Sequence, residues 1–205
     1  MKRIAAQWHL TNRYLRQRLL WPGLIAFVLF LGAAVGGYFL FANNTAAAEQ
    51  FLSALRDTFA SKGLYDAGAL LPLLLLGNNL LAAAQCIVSG GIPFLFLPGW
   101  NLLLNGGIIG VVLTSGQVFG GASPIRLFVT GILPHGIFEI PALILAGAVG
   151  LRLCHILCRQ ILGRSAQTNP LDELKRIPGV FCFYVIPLLI LAAVVESYLT
   201  PLFLG

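Results

Sequence analysis

Residues 127–154, LFVTGILPHGIFEIPALILAGAVGLRLC, decide the fold, because they are apolar enough to cross a bilayer and yet carry His135 and Glu139. A helix needs roughly 20 apolar residues to cross about 30 Å of hydrocarbon. The run has no strand-like alternation, and a helix satisfies its own backbone in lipid, so we interpret it as a membrane helix. His135 and Glu139 are four residues apart and therefore share one helix face. Ionisable groups at membrane depth are costly and usually mark functional sites.

The whole chain has the composition of an integral membrane protein. Of its 205 residues 58% are hydrophobic and 10% are charged, whereas a soluble domain carries roughly 25% charged residues. Five stretches are long enough to span a membrane: 23–42, 68–89, 100–119, 127–154 and 180–202. The sequence therefore predicts an all-α, polytopic membrane helix bundle of about five transmembrane helices, as one membrane domain over 1–205. We interpret 23–42 as a retained span, because it exceeds the roughly 7–15 residues of a signal-peptide core.

The basic residues predict the topology. Ten fall on one side of a five-span arrangement and three on the other, which places the N-terminus in the cytoplasm and the C-terminus outside the plasma (inner) membrane. The net charge of +6 is explained by this asymmetry, so we expect contact with membrane lipids and no nucleic-acid partner.

Three segments outside the spans are expected to carry interfacial structure. They are a cytoplasmic or interfacial segment over 1–20, an external amphipathic segment over 43–67 and a cytoplasmic basic loop over 155–177. In the basic loop, Asn169 followed by Pro170 is a helix-start signal. Residues 90–99 are bounded by glycine and proline, which favours either a short connection or a re-entrant segment.

Small residues at four-residue spacing predict where helices pack, since they let helix backbones approach closely in membranes. Such positions are Ala142, Ala146 and Gly150 in the fourth span, Gly106 and Gly110 in the third, and Gly32 and Gly36 in the first. The glycine faces of the first and third spans also suggest a homodimer.

The polar residues inside the spans are the candidate site. They are Asn78, Asn79, Asn105, His135, Glu139 and Glu196. Together they are enough to line a small wet cavity, and two carboxylates near one imidazole could bind a cation or share a proton. The simpler alternative is a set of hydrogen bonds that only holds helices together. Arg126 offers Glu196 a structural ion pair instead.

The cysteines give a weaker signal. Cys86, Cys154, Cys158 and Cys182 map to cytoplasmic ends of spans, where a reducing compartment disfavours disulfides. A zinc site with His155 lacks the usual C-x2-C spacing. The sequence has no phosphate-binding glycine loop, Ser/His/Asp arrangement or redox CxxC, and we expect no cofactor.

The run 133–152, LPHGIFEIPALILAGAVGLR, resembles the signature of the stage II sporulation protein M family of membrane proteins. The pairs Asn78-Asn79 and Asn105-Gly106 and the tail 196–201, ESYLTP, are also similar to that family's pattern, so the likeness covers nearly the whole chain from about Leu20. The resemblance implies a polytopic plasma-membrane protein. Sporulating members work in engulfment, where the protein is thought to anchor cell-wall hydrolases at the septal membrane. No family-wide catalytic activity follows from it.

Three functions remain open at this point. The first is a non-enzymatic membrane scaffold whose external segment docks envelope proteins such as peptidoglycan hydrolases. The second is a channel or transporter for ions or a small solute through the polar cavity. The third is an intramembrane hydrolase, which would need a nucleophile or an activated water near His135.

Overall fold

A computed structural model describes residues 2–64, 66–119, 121–164 and 169–204. Within these ranges every regular element is helical. Five stretches are long and apolar enough to cross a membrane: Arg3–Ala42, Gly68–Ser89, Leu97–Phe119, Pro124–Ile161 and Pro170–Phe203. The predicted all-α bundle of about five transmembrane helices is confirmed. Most of these stretches are longer than the predicted spans, because helix continues beyond the apolar core.

The α-helices follow one another with short connections. They are α1 (Lys2–Tyr14), α2 (Leu20–Ala42), α3 (Thr45–Ser61), α4 (Leu71–Ser89), α5 (Leu97–Val112), α6 (Ser115–Phe119), α7 (Pro124–Arg126), α8 (Leu133–Ile161), α9 (Pro170–Leu174), α10 (Ile177–Val180), α11 (Ile186–Val194) and α12 (Thr200–Leu204). α8 lies at the centre of the bundle and contacts α2, α4, α5 and α11.

Four turns of π-helix interrupt the spans, and each ends two or three residues before a proline. They cover Leu15–Leu19, Leu127–Ile132, Phe181–Val185 and Val195–Leu199, and the prolines are Pro22, Pro134, Pro187 and Pro201. A proline has no N–H to donate, and its ring displaces the carbonyl four residues earlier. The widened turn before it accommodates that carbonyl, so the prolines account for the positions of the π-turns.

Glycines set the closest helix contacts. A Cβ at Gly106 would lie 2.2 Å from the Phe30 carbonyl oxygen, and one at Gly110 would lie 2.2 Å from that of Ala34. α2 and α5 therefore pack backbone to backbone, as the GxxxG spacing predicts for close helix packing. Between α4 and α8, a Cβ at Gly150 would lie 2.1 Å from the Cys86 carbonyl oxygen.

Two of the predicted packing glycines do not lie at a contact between the described helices. Gly32 and Gly36 are on the exposed side of α2, where nothing approaches the Cβ position within 4 Å. The close contact of α2 with α5 instead involves Gly37, whose Cβ would lie 2.8 Å from the Gly107 carbonyl oxygen. Gly36 and Gly37 are 100° apart on the helix, so only one of them can face α5. A homodimer through Gly32 and Gly36 stays a prediction.

The connection between α4 and α5 is short and is held by buried cysteines. Residues 90–96 form it, with left-handed backbone at Phe94 (φ 67°) and Phe96 (φ 46°). The Phe94 N–H donates to the Cys158 sulfur at 3.0 Å, and the Cys154 thiol donates to the Ile92 carbonyl at 3.5 Å. These cysteines therefore support a connection between spans. Among the described residues they belong to no group of three metal-ligating side chains.

In two of the three predicted interfacial segments, 1–20 and 43–67, the helices α1 and α3 pack on the bundle. In α1, Trp8 stacks on Tyr184 with ring centroids 5.2 Å apart, which fixes α1 against the start of the fifth span. In α3, Asn44 caps the first turn by accepting from the Ala47 N–H at 3.1 Å, and Ala48 and Leu52 are buried. α3 lies at the end of the bundle opposite α1, because α2 connects them.

Candidate functional site

The site is a cluster of three ionisable side chains inside the bundle. His135 and Glu139 project from consecutive turns of α8, and Glu196 projects from the π-turn Val195–Leu199 of the fifth span. One ligand atom from each residue lies within 4.8 Å of the other two. Helical spacing explains the first pair, whereas Glu196 arrives through the packing of α8 against the fifth span. We call these three residues the polar cluster.

Thr200 extends the polar cluster by one hydroxyl. Its Oγ1 lies 3.4 Å from Nδ1 of His135 and 3.3 Å from the Val195 carbonyl oxygen, to which it donates. Because the hydroxyl proton points to that carbonyl, the hydroxyl oxygen is left to accept from Nδ1–H. This arrangement favours the tautomer in which Nε2 carries the lone pair. In this tautomer Nε2 can bind a metal ion or accept a proton.

A small cavity borders Glu139. It measures about 10 Å³, and its polar lining is Asn79, Asn105 and Glu139. A cavity needs roughly 10–15 Å³ to hold one water molecule, so this space suits one water at most. Asn105 is held in place by its own helix, since its Nδ2 donates to the Asn101 carbonyl at 2.8 Å. The polar side chains come from α4, α5 and α8, and Leu189 of α11 completes the lining, so the cavity lies where four spans meet.

Asn78 lies apart from the polar cluster. Its Oδ1 accepts from Nζ of Lys62 at 2.6 Å, and its Nδ2 donates to Asn79 Oδ1 at 3.4 Å. Asn78 therefore connects the end of α3 to α4. Its neighbour Asn79 lines the cavity. The alternative ion pair is also absent, because Arg126 and Glu196, both in the described part of the chain, form no salt bridge.

The predicted packing face continues below the polar cluster. Ala142 and Ala146 are fully buried, and Gly150 meets the Cys86 carbonyl as described above. Gly147 belongs to the same surface, since a Cβ there would lie 2.7 Å from a methyl of the fully buried Leu102. At Gly147 and Gly150 α8 has room only for small side chains, which fixes its position against α4 and α5.

The donor set of the polar cluster suits two kinds of chemistry. One imidazole nitrogen and two carboxylates are ligands that first-row divalent cations such as Zn²⁺ or Mn²⁺ accept. The same groups can share a proton, because a proton or a cation held between two close carboxylates offsets the repulsion of their charges. Within the described residues no other group of three His, Cys, Asp or Glu side chains has this geometry.

A second buried ionic group was not predicted from the sequence. The carboxylate of Glu173, which is 1% exposed, accepts from Nε of Arg152 at 2.6 Å and from the Tyr14 hydroxyl. These residues come from α9, α8 and α1, which meet at the end of the bundle that we call the basic end. Glu173 lies next to Asp172 in a short helix, and no local pattern marks it as buried.

Comparison with known proteins identifies the family. The chain is 29% identical, over 127 residues, to an uncharacterized protein of Methanocaldococcus jannaschii, and the match covers 62% of this chain and 69% of that protein. No solved structure matches it. The family of stage II sporulation protein M matches residues 26–201, which include the polar cluster and all five apolar stretches in whole or in part. This membrane protein belongs to the stage II sporulation protein M family.

Proposed function

We propose that this protein is a non-enzymatic scaffold of the plasma membrane, which holds cell-envelope proteins such as peptidoglycan hydrolases at the membrane surface. The observation that carries the proposal is the tight packing around the polar cluster. The adjoining cavity of about 10 Å³ has room for one water, and the bundle helices meet at glycines where an added Cβ would lie only 2.1–2.2 Å from a carbonyl oxygen of the next helix. A bundle packed in this way is suited to holding a shape rather than to passing a solute.

We place the N-terminus and the basic end in the cytoplasm and the C-terminus outside, following the ten-to-three distribution of basic residues. In this orientation α3 lies on the external surface, where peptidoglycan and its hydrolases are found. α3 is anchored by Leu52 and by a contact of 5.6 Å between the rings of Phe41 and Phe51. The opposite face of α3 carries Gln50, Ser53 and Asp57, which are all exposed. We assign partner docking to that face.

Steric substitution of α3 tests the scaffold. The variant Gln50→Tyr/Ser53→Tyr adds bulk to the exposed face without changing the charge that sets topology. The control His155→Tyr/Gln160→Tyr makes the same change at exposed positions of the basic end. Proteins crosslinked in native membranes and purified with the full chain should be lost from the α3 variant and kept by the control. Identical partner sets for wild type and both variants would refute the scaffold.

A second candidate is transport of protons or cations, and the 4.8 Å convergence of His135, Glu139 and Glu196 favours it. A carrier needs ionisable groups that can take up and release a cation within the membrane. The test is flux of H⁺, Na⁺, K⁺, Mn²⁺ and Zn²⁺ into proteoliposomes that hold the wild type or Glu139→Gln. Flux that the substitution abolishes would establish transport. Equal leakage from wild type, variant and empty vesicles would remove this candidate.

A further inference from the structure

A large cavity opens at the basic end of the bundle, away from the polar cluster. Its volume is about 570 Å³, and it lies between α1, the π-turn Leu15–Leu19, α8, α9 and the start of α10. Its charged lining consists of five cationic side chains and two carboxylates, namely Arg13, Arg18, Arg152, Lys175, Arg176, Asp172 and Glu173. The cavity is therefore positively charged.

The two carboxylates are already engaged with two of the cations. Glu173 pairs with Arg152 at 2.6 Å, and Asp172 pairs with Lys175 at 3.1 Å. Of the salt bridges among described residues, none involves Arg13, Arg18 or Arg176. Three guanidinium groups thus face one cavity without a carboxylate to balance them. Guanidinium is the side-chain group that binds phosphate oxygens best, because its donors form a planar fork.

The local backbone explains how two of these arginines reach the same side. Arg13 and Arg18 are five residues apart, and in a regular α-helix such residues point about 140° away from each other. The π-turn over Leu15–Leu19 has a wider i→i+5 repeat, which narrows the angle between the two side chains. Both side chains consequently line the cavity, together with the amide of Gln17.

We propose that this cavity binds an anion that carries a phosphate group. Pockets for organic ligands typically measure about 300–1,000 Å³, and the cavity is in that range, so it accommodates a phosphorylated organic group rather than bare phosphate alone. The apolar part of the first span begins at Leu20, two residues after Arg18, which places the cavity at headgroup depth. The ligand is either the headgroup of an anionic phospholipid or a soluble phosphate ester that enters from the water.

The experiment uses the purified full chain, delipidated in detergent. Binding is measured by thermal stabilisation and by native mass spectrometry with phosphatidylglycerol, with phosphatidylcholine, and separately with inorganic phosphate and glycerol phosphate. The test variant is Arg18→Gln/Arg176→Gln, whose side chains take part in no salt bridge of the described structure. The control Arg3→Gln/Arg164→Gln removes two exposed charges outside the cavity. Circular dichroism checks folding, and the single variant Arg176→Gln replaces the double variant if that does not fold.

We expect affinity to fall about thirtyfold in the test variant and less than twofold in the control, because each cation near an anionic surface contributes about fivefold. Binding of phosphatidylglycerol without binding of either soluble phosphate identifies a lipid headgroup as the ligand. Binding of glycerol phosphate identifies a soluble ester. Equal losses in test and control variants, or no binding of any phosphate-bearing probe, would overturn the proposal. The outcome is independent of whether α3 docks partners.

Discussion

Replacing Gly150 by alanine tests the packing on which the bundle depends. The added methyl would lie 2.1 Å from the carbonyl oxygen of Cys86 and 2.9 Å from a ring carbon of Pro98. The first distance is more than 1 Å shorter than an ordinary contact of 3.4 Å, and the obstacle is helix backbone, which cannot rotate away as a side chain can. α4 and α8 must therefore separate to admit a single methyl group.

The magnitude follows from two opposing terms. Overpacking of this kind costs about 1–3 kcal/mol, and contact with backbone favours the upper end of that range. Alanine in a helix interior is about 0.5–1 kcal/mol more favourable than glycine, which offsets part of the cost. We expect Gly150→Ala to lower the free energy of unfolding by about 2 kcal/mol. Gly77 in α4 is the matched control, since nothing lies within 4 Å of its Cβ position. Gly77→Ala should be neutral or raise stability by up to about 1 kcal/mol.

Both free energies can be measured by titrating the purified protein in mild detergent with sodium dodecyl sulfate and following tryptophan fluorescence. The free energies of unfolding of the two variants should differ by about 2–3 kcal/mol, with Gly150→Ala the less stable. If Gly150→Ala unfolds at the same detergent fraction as Gly77→Ala, α4 and α8 do not meet at this glycine and the arrangement of the fourth span is wrong.

The same unfolding assay tests three further side chains. Glu173→Ala should cost about 3–5 kcal/mol, because it removes the buried carboxylate that pairs with Arg152 and accepts from the Tyr14 hydroxyl. Asp172→Ala, which breaks only an exposed pair with Lys175, should cost less than about 1 kcal/mol. Equal effects would contradict the buried network. Leu102→Ala should cost about 2–5 kcal/mol, since Leu102 is fully buried, while Leu104→Ala, at a site 63% exposed, should stay near wild type; a large loss at Leu104 would show that another molecule covers that face. Thr200→Val should cost about 1 kcal/mol by removing the hydroxyl beside the imidazole of the polar cluster, and an unchanged midpoint would argue against that hydrogen bond.

The sequence predicts those features that depend on local spacing. Apolar length gives the five spans, i,i+4 spacing puts His135 and Glu139 on one face, and the small-residue pattern marks Gly106 and Gly110 for close packing. These predictions need only helix geometry, because in lipid a long apolar segment has few alternatives to a helix. The N-terminal segment was expected at the membrane interface, and its packing on the fifth span through Trp8 depends on a tertiary contact.

Local spacing does not predict which of two adjacent residues faces a given neighbouring helix. Asn78 and Asn79 are equally polar, yet Asn79 borders the cavity with Glu139 and Asn78 binds Lys62. A rotation of 100° separates them, and that rotation is set by how α4 meets α5 and α8. In the same way, the rotation of α2 determines that Gly37 rather than Gly36 faces α5. Glu173 is a harder case, because its partners lie 21 and 159 residues away in the sequence.

Buried ionic groups join the fourth and fifth spans at two levels. Arg152 meets Glu173 at the basic end, and His135 and Glu139 meet Glu196 about 20 Å away along the helix, at 1.5 Å per residue. Helices in lipid have no hydrophobic force that drives them together, so close packing and polar contacts must supply the association. Both groups therefore contribute to assembly whatever else they do. A group that serves assembly alone can be replaced by apolar side chains of similar volume with little loss, because removing both partners leaves no unpaired charge. A group that binds a cation cannot be replaced in this way without loss of that binding, so paired apolar replacement separates the two roles in each case.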